Sequence, residues 1–278
     1  MTPTQRLAIA VDIAQAAGRM IVEARARQDV TQRYKQDQEL VTDSDVAVDR
    51  LISQRLDEHF ATEARLSEEL TPDHDALTRR GALWVIDPID GTVNFAHGLR
   101  HVAVSIGWAE DGRTRLGVVH APFLGETFTA LDGQGAWCND RPIQASRCDA
   151  LTHALVGTGF PYHRDSRAPL LQRLAAVLTH CQDVRRNGSA ALDLCDVACG
   201  RLDAYYESVS PWDCAAGMLI AREAGARTGH LYGVPAGMPV DLYSRDLLVT
   251  GPALYTALGD LLRRADAHAP DQRPRQRP

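Results

Sequence analysis

"WVIDPIDGTVNF", Trp84 to Phe95, carries an apolar run into two aspartates, Asp87 and Asp90, with Pro88 between them and Gly91 and Thr92 behind. The run predicts a buried strand ending at Asp87, with Pro88 at the second position of a turn and Gly91 relaxing the backbone. Both carboxylates then face one small volume. At about 4 Å they repel by roughly 1 kcal/mol in water and about 4 kcal/mol at an effective dielectric near 20, so the fold must supply a proton or a cation. Carboxylates and a free carbonyl such as that of Ile89 are the oxygen ligands Mg²⁺ takes. A short helical turn through Val93 to Ala96 would offer N–H groups to a phosphate beside such a cation. A bare D-P-x-D-G is also compatible with a plain turn and helix cap.

Outward from this stretch, the order of elements fits a layered α+β protein. Apolar residues at helical spacing predict a first helix from Thr4, its cap, to about Ala26, and a second from about Asp45 to Phe60 with cap candidates in Thr42–Ser44. A polar loop with Lys35 and "ELVTDSD" joins them. "ALWVID", "VAVSIGWA", "TRLGVVHA" and "ETFTALD", separated by turn signals, read as an antiparallel meander. After about residue 150 helices and strands alternate: strand at "ALVGTGF", helix over Ala168–His180, helix at "SAALDLCDVACG" and strand at "DAYYE". A helix at "DCAAGMLIAREAG", a strand at "DLLVTG" and a last helix to Arg264 follow. The division expected is 1–145, carrying the acidic motif, 146–264, and a Pro-rich tail 265–278 without apolar periodicity, expected to be disordered.

The chain of 278 residues is 45% hydrophobic, enough to bury a core, and its formal charge of -6 leaves no basic footprint for nucleic acid or an anionic membrane. No apolar run is long enough to span a bilayer. Six scattered cysteines without a C-x-x-C pair, and an N-terminus interrupted by Asp12 and Gln15, point to reduced thiols in a cytoplasmic protein. The G-x-G sequences at 133–135 and 157–159 lack the rest of a dinucleotide fingerprint.

Two more acidic features accompany the motif. "LSEEL" places Glu68 and Glu69 after an apolar run, and "SPWDCAAG" places Asp213 at a helix start. Singly, the glutamates read as a solvated pair and Asp213 as an N-cap. Together with "DPIDGT", in this order and with the two aspartate motifs about 120 residues apart, they resemble the signature of the inositol monophosphatase family. The likeness runs from the "VTDSD" loop through "HVAVSIG", "GAWCN" and "GSAALDLCDVACGRLDAYYE" to about residue 250.

The resemblance implies a sugar-phosphatase-type fold, layered α-β-α-β-α with mixed and antiparallel sheets, and a homodimer. It implies Mg²⁺-dependent hydrolysis of a small phosphorylated polyol, most simply inositol monophosphate, with lithium inhibition. Glu68, Asp87 and the Ile89 carbonyl would hold one ion, and Asp87, Asp90 and Asp213 a second. Thr92, its hydroxyl held by Asp45, and Glu68 would orient and deprotonate the attacking water. The N–H groups of Gly91 and Thr92 would meet the phosphate, while Gly188, Ser189, Ala190 and Glu207, with Asp90 and Asp213, would face the polyol. Arg185 and Arg186 could touch substrate, although arginines at strand ends are usually solvated or paired.

Ser67 stands where the family has glycine, and His97, Arg100, His101 and His163 depart from its usual wording. These histidines and His120 lack zinc-site spacing and read as loop or core residues. Histidinol phosphate, fructose 1,6-bisphosphate and 3′-phosphoadenosine nucleotides are further substrates the resemblance allows. So is a role as a partner of the transcription machinery with secondary phosphatase activity.

Overall fold

The computed structural model describes residues 1–27, 31–34, 40–160 and 167–267. In chain order it has α1 (Pro3–Ala26), β1 (Gln32–Tyr34), β2 (Leu40–Thr42), α2 (Asp43–Phe60), β3 (Ala64–Ser67) and β4 (Ala82–Asp90). Next come α3 (Thr92–His97), β5 (Ala103–Glu110), β6 (Arg113–Ala121), β7 (Glu126–Leu131), β8 (Ala136–Cys138) and β9 (Arg141–Pro142). The second half holds β10 (Leu155–Thr158), α4 (Arg167–His180), β11 (Asp183–Arg185), α5 (Ala190–Ala198) and β12 (Ala204–Glu207). It closes with α6 (Pro211–Glu223), β13 (Arg227–His230), β14 (Leu247–Thr250) and α7 (Tyr255–Ala267).

Two sheets carry the layers. The larger has seven strands in the order β3-β4-β5-β6-β7-β8-β9, antiparallel except for the parallel pair β3/β4. The smaller has five, β11-β10-β12-β14-β13, with parallel and antiparallel pairs. Helices α1 and α2 cover one face of the large sheet, where Ile13, Ile21, Ile52 and Leu56 pack on Trp84, Ile86 and Val104. Helices α5 and α6 lie between the sheets, and α4 and α7 cover the outer face of the small one. The expected α-β-α-β-α layering is thus observed. With helices on both faces of the large sheet, β4 needs no polar alternation, and every residue from Leu83 to Asp90 is buried.

Small residues set the spacing between layers. A methyl at Gly117 would meet the Ala216 carbonyl oxygen at 2.7 Å, and one at Gly217 would meet the Leu194 side chain at 2.8 Å. Helix α6 therefore lies directly on β6 and against α5. On the opposite face, Arg6 clamps α1 to the sheet. It makes a paired contact with Glu63 at 2.6 and 2.8 Å and lies over the Phe60 and Trp108 rings, while both Trp84 and Trp108 donate indole N–H groups to Glu63.

Several boundaries differ from the sequence reading. Thr2, not Thr4, caps α1 through a capping box with Gln5, and Pro3 takes the first helical position. Helix α2 starts at Asp43, and part of the expected polar loop is the antiparallel strand pair β1/β2; Lys35 lies outside the described residues. Helix α7 continues through Ala265, Asp266 and Ala267; the rest of the tail, like His163, lies outside the described residues. The six cysteines are all free thiols. Among the described residues no helix is long and apolar enough to cross a membrane.

Candidate active site

Strand β4 does not stop at Asp87 as expected. It runs to Asp90 with one extra residue relative to β5, since Asp87 pairs with Ser105 and Asp90 with Ala103. Pro88, which has no N–H to give a ladder, sits in this irregularity, and the bulge re-aims the two aspartates without ending the strand. Gly91 then takes φ +93°. A side chain there would meet the His101 carbonyl at 2.9 Å and the Gly188 carbonyl at 3.2 Å, so only glycine fits where the two halves of the chain touch.

Two elements bring further carboxylates to this point, and a third supports one of them. Parallel pairing sets Ser67 beside Ile86, and the Glu68 N–H donates to the Ile86 carbonyl (3.3 Å), which delivers Glu68 next to Asp87. Asp49 of α2 fixes the turn beyond it, accepting from the Ser67 hydroxyl and from the N–H groups of Glu69 (3.2 Å) and Leu70 (3.0 Å). Ser67 itself is fully buried, so the serine replacing the family's glycine has a structural partner. Asp213 arrives on the first turn of α6, whose start is held by the Ser105 hydroxyl donating to the Trp212 carbonyl (3.1 Å). Ser210 is the N-cap; Asp213 completes a capping box by accepting the Ser210 N–H (2.7 Å).

Asp87, Asp90 and Asp213 each offer a carboxylate oxygen, all within 4.8 Å of one another. Burial raises the pKa of Asp87 well above the usual carboxylate range, and the charges of Glu68, Asp90 and Asp213 push the same way. Burial also lifts Asp90 to about 6, opposed by hydrogen bonds from the Ser189 hydroxyl and the Ala191 N–H. These bonds, at 2.5 and 2.7 Å, with the Ala190 N–H at 3.3 Å, tie Asp90 to the start of α5. Asp90 thus links the halves of the chain as well as facing the cluster. The donors are all oxygens, and a cation would relieve the repulsion that raises Asp87, so the residues present fit a hard divalent ion such as Mg²⁺.

Thr92 and Asp45 meet across 47 residues. The Thr92 hydroxyl lies 2.9 Å from Asp45 Oδ1 and 3.1 Å from the Ile89 carbonyl. The other oxygen of Asp45 accepts from the Thr42 N–H (2.8 Å) and hydroxyl (2.5 Å). Burial raises the Asp45 pKa against these bonds. Asp45 lies behind Thr92 and does not line the cleft.

The other sequence-identified residues surround one cleft of about 350 Å³ between the sheets. Gly188, Ser189 and Ala190 line it at the start of α5, and Glu207 lines it at the end of β12. The Tyr205 hydroxyl donates to Glu207 at 2.5 Å, and burial lifts the Glu207 pKa to about 8. Gly159 leaves room for this carboxyl, since any side chain there would collide with its oxygens. Arg186 lines the cleft, whereas Arg185 pairs outside it with Asp183 (2.6 Å).

Sequence reasoning missed Arg245, Thr158 and Trp212 as lining residues and Asp49 as a support. Asp49 falls on the same face of α2 as Asp45, one turn on, which is the signal available for it. It also missed that the His101 ring faces Asp193 (3.4 Å) and lies near Asp196. Burial works against the charged ring, but these carboxylates and Asp90 raise its pKa overall.

The sequence profile of the inositol monophosphatase family matches residues 2–267. Inositol monophosphatase 1 of Solanum lycopersicum is 36% identical over 263 residues, covering 92% of this chain and 94% of that protein. Nus factor SuhB of Pasteurella multocida is 39% identical over 243 residues, covering 81% and 87%. The solved structure of inositol monophosphatase from Anabaena superposes with a TM-score of 0.80 at 33% identity, covering 94% of this chain and 96% of that one. Fold, cleft and relatives together define a phosphatase, a hydrolase of phosphate esters. More narrowly, the chain belongs to the inositol monophosphatase family.

Proposed function

We propose that the chain hydrolyses a small phosphate monoester with the help of Mg²⁺, and that its substrate is inositol monophosphate or a similar polyol phosphate. The observation that carries this reading is the convergence of Asp87, Asp90 and Asp213, from two distant parts of the chain, within 4.8 Å of one another in a cleft. Glu68, Asp87 and the Ile89 carbonyl would hold one ion, and Asp87, Asp90 and Asp213 the other. Bound there, the ions supply positive charge against the phosphoryl oxygens and lower the pKa of water.

The chain's own groups do the rest. With its proton directed at Asp45, the Thr92 oxygen is left to accept a hydrogen bond from a water molecule, which turns that water's lone pair toward phosphorus. Glu68 takes up the proton released. The N–H groups of Gly91 and Thr92 face the phosphate oxygens. Gly188, Ser189, Ala190 and Glu207, with Asp90 and Asp213, face the hydroxyls of the alcohol. A homodimer in the cytoplasm, inhibited by lithium, completes the proposal.

A second reading is favoured by the relatives named Nus factor SuhB, which supports contact with a transcription complex in addition to hydrolysis. Phosphate release from inositol 1-phosphate, fructose 1,6-bisphosphate, histidinol phosphate and 3′-phosphoadenosine 5′-phosphate, each with Mg²⁺, EDTA or Li⁺, tests the first reading. Mg²⁺-dependent, Li⁺-sensitive turnover is expected. No release from any of the four would reject it.

A further inference from the structure

Among the described residues, two groups of three or more potential ligand side chains bring their atoms within 4.8 Å of one another. One is Asp87, Asp90 and Asp213. The other, which the proposed chemistry leaves unused, is His101, Asp193 and Asp196. These three come from opposite sides of the seam where the halves of the chain touch. His101 lies between α3 and β5, whereas Asp193 and Asp196 stand three residues apart on α5, so that their carboxylates share one face of that helix.

The segments that carry them are held in place. The Asn94 side chain donates to the His101 carbonyl (2.7 Å) and to the Asn187 carbonyl (2.8 Å), and Asn187 Nδ2 donates in turn to Asp193 Oδ1 (2.7 Å). Bonds of this kind, made to the far side of a ligand, orient the ligands of metal sites. Asp196 accepts from Arg201 (3.2 Å), but Arg201 also makes a two-point contact with Glu126 and does not depend on Asp196 for a counter-charge.

The His101 ring is placed as a ligand would be. Its Nε2 is shut off from water and has no hydrogen-bond partner, although it stands 3.4 Å from Asp193 Oδ1. A plain ion pair would set an N–H on that oxygen at about 2.7–2.9 Å. Two atoms each bound at about 2.1 Å to a tetrahedral ion lie about 3.4 Å apart, the separation seen here. One imidazole nitrogen with two carboxylate oxygens suits Zn²⁺ and similar transition ions better than Mg²⁺, which takes oxygen ligands and keeps several waters. Three protein ligands leave a fourth position for water.

We propose that His101, Asp193 and Asp196 form a second metal site, selective for a transition ion such as Zn²⁺, that pins the two halves of the chain together beside the cleft. The ion joins the segment after α3 to α5 at a point farther along that helix than the N–H groups that hold Asp90. The site does not depend on what the cleft hydrolyses.

Calorimetric titration of the full chain with Zn²⁺ at pH 8, in a large excess of Mg²⁺ to occupy the oxygen-only cluster, tests this. The basic pH favours the unprotonated ring that a metal needs. One Zn²⁺ per wild-type chain is expected. H101Q and D196N should each weaken it about 100-fold or more, because groups that merely orient a ligand are already worth about 10–100-fold. D213N, which removes a carboxylate from the other cluster, should bind this Zn²⁺ as the wild type does. A cooperative melt of each variant in EDTA shows that it folds, and if one of H101Q and D196N does not, the other carries the test. Wild-type protein that takes up no Zn²⁺, or an affinity unchanged in either folded variant, overturns the site. Binding abolished by D213N places the ion at the carboxylate cluster and overturns it as well.

Discussion

Replacing Asp87 by Asn removes a charge from the buried cluster while keeping its shape. The new side chain retains an acceptor for the Ile89 N–H, now 2.9 Å from Asp87 Oδ1, and its amide can donate to Asp213, which Asp87 already meets through a hydrogen bond. What changes is the repulsion. For oxygens within 4.8 Å, one pair of unit charges costs about 0.9 kcal/mol in water and about 3.5 kcal/mol at an effective dielectric near 20. At about 2–4 °C per kcal/mol for a chain of this size, metal-free D87N should melt about 2–14 °C above the wild type near pH 8.

The direction with pH follows from the raised pKa. A carboxyl titrating above its ordinary 3.8 favours the folded state fully below that value, and this contribution is lost as pH rises through the folded pKa. The advantage of D87N should therefore vanish near pH 4 and grow toward pH 8. Mg²⁺ should narrow the gap or reverse it, because the wild type gains about 2.7 kcal/mol at a hundredfold excess over Kd and the variant does not. Scanning calorimetry in EDTA and in Mg²⁺ at pH 4, 6 and 8, beside an assay of phosphate release, reads all of this. A variant less stable than wild type in EDTA at pH 8, or still stabilised by Mg²⁺, or still active, would refute the assignment of Asp87.

Two other substitutions probe the neighbouring groups. Thr92→Val leaves Asp45 Oδ1 without its donor, which should cost about 1–3 kcal/mol in urea unfolding and lower kcat by about 10²–10⁴, with Mg²⁺ stabilisation retained; turnover near wild type would remove Thr92 from the water-orienting role. For Glu207, raised from 4.5 to about 8, the folded state is favoured below pH 4.5 and loses that contribution as pH rises through 8. In EDTA the melting temperature of wild type should thus fall more steeply than that of E207Q between pH 5 and 9, and parallel profiles would contradict the burial of this carboxyl.

The aspartate motif was legible because its spacing is local. Apolar residues up to Ile86, Pro88 between two acids and Gly91 behind them announce a buried strand that ends in acid. The bulge was not legible, since a proline after an aspartate reads as a turn whenever the partner strand is unknown. Thr4 and Thr2 are both acceptable caps, and only the start of the helical hydrogen bonds distinguishes them. Strands such as Asp183–Arg185 and Arg227–His230 have no apolar pattern of their own; they are strands because β10 and β14 stand beside them.

The sequence by itself determined which residue types could do the chemistry: Glu68, Asp87, Asp90 and Asp213 as acids, Thr92 and Asp45 as a hydroxyl and its acceptor, and the helices and strands that carry them. Their meeting was decided by tertiary structure. Asp213 reaches Asp87 because Gly117 and Gly217 let α6 lie close on the large sheet and on α5, and Arg245 reaches the cleft because β14 runs antiparallel beside β12. Periodicity reports the face a residue takes on its own element, whereas these contacts join residues up to 126 and more positions apart, and depend on how closely two layers can approach.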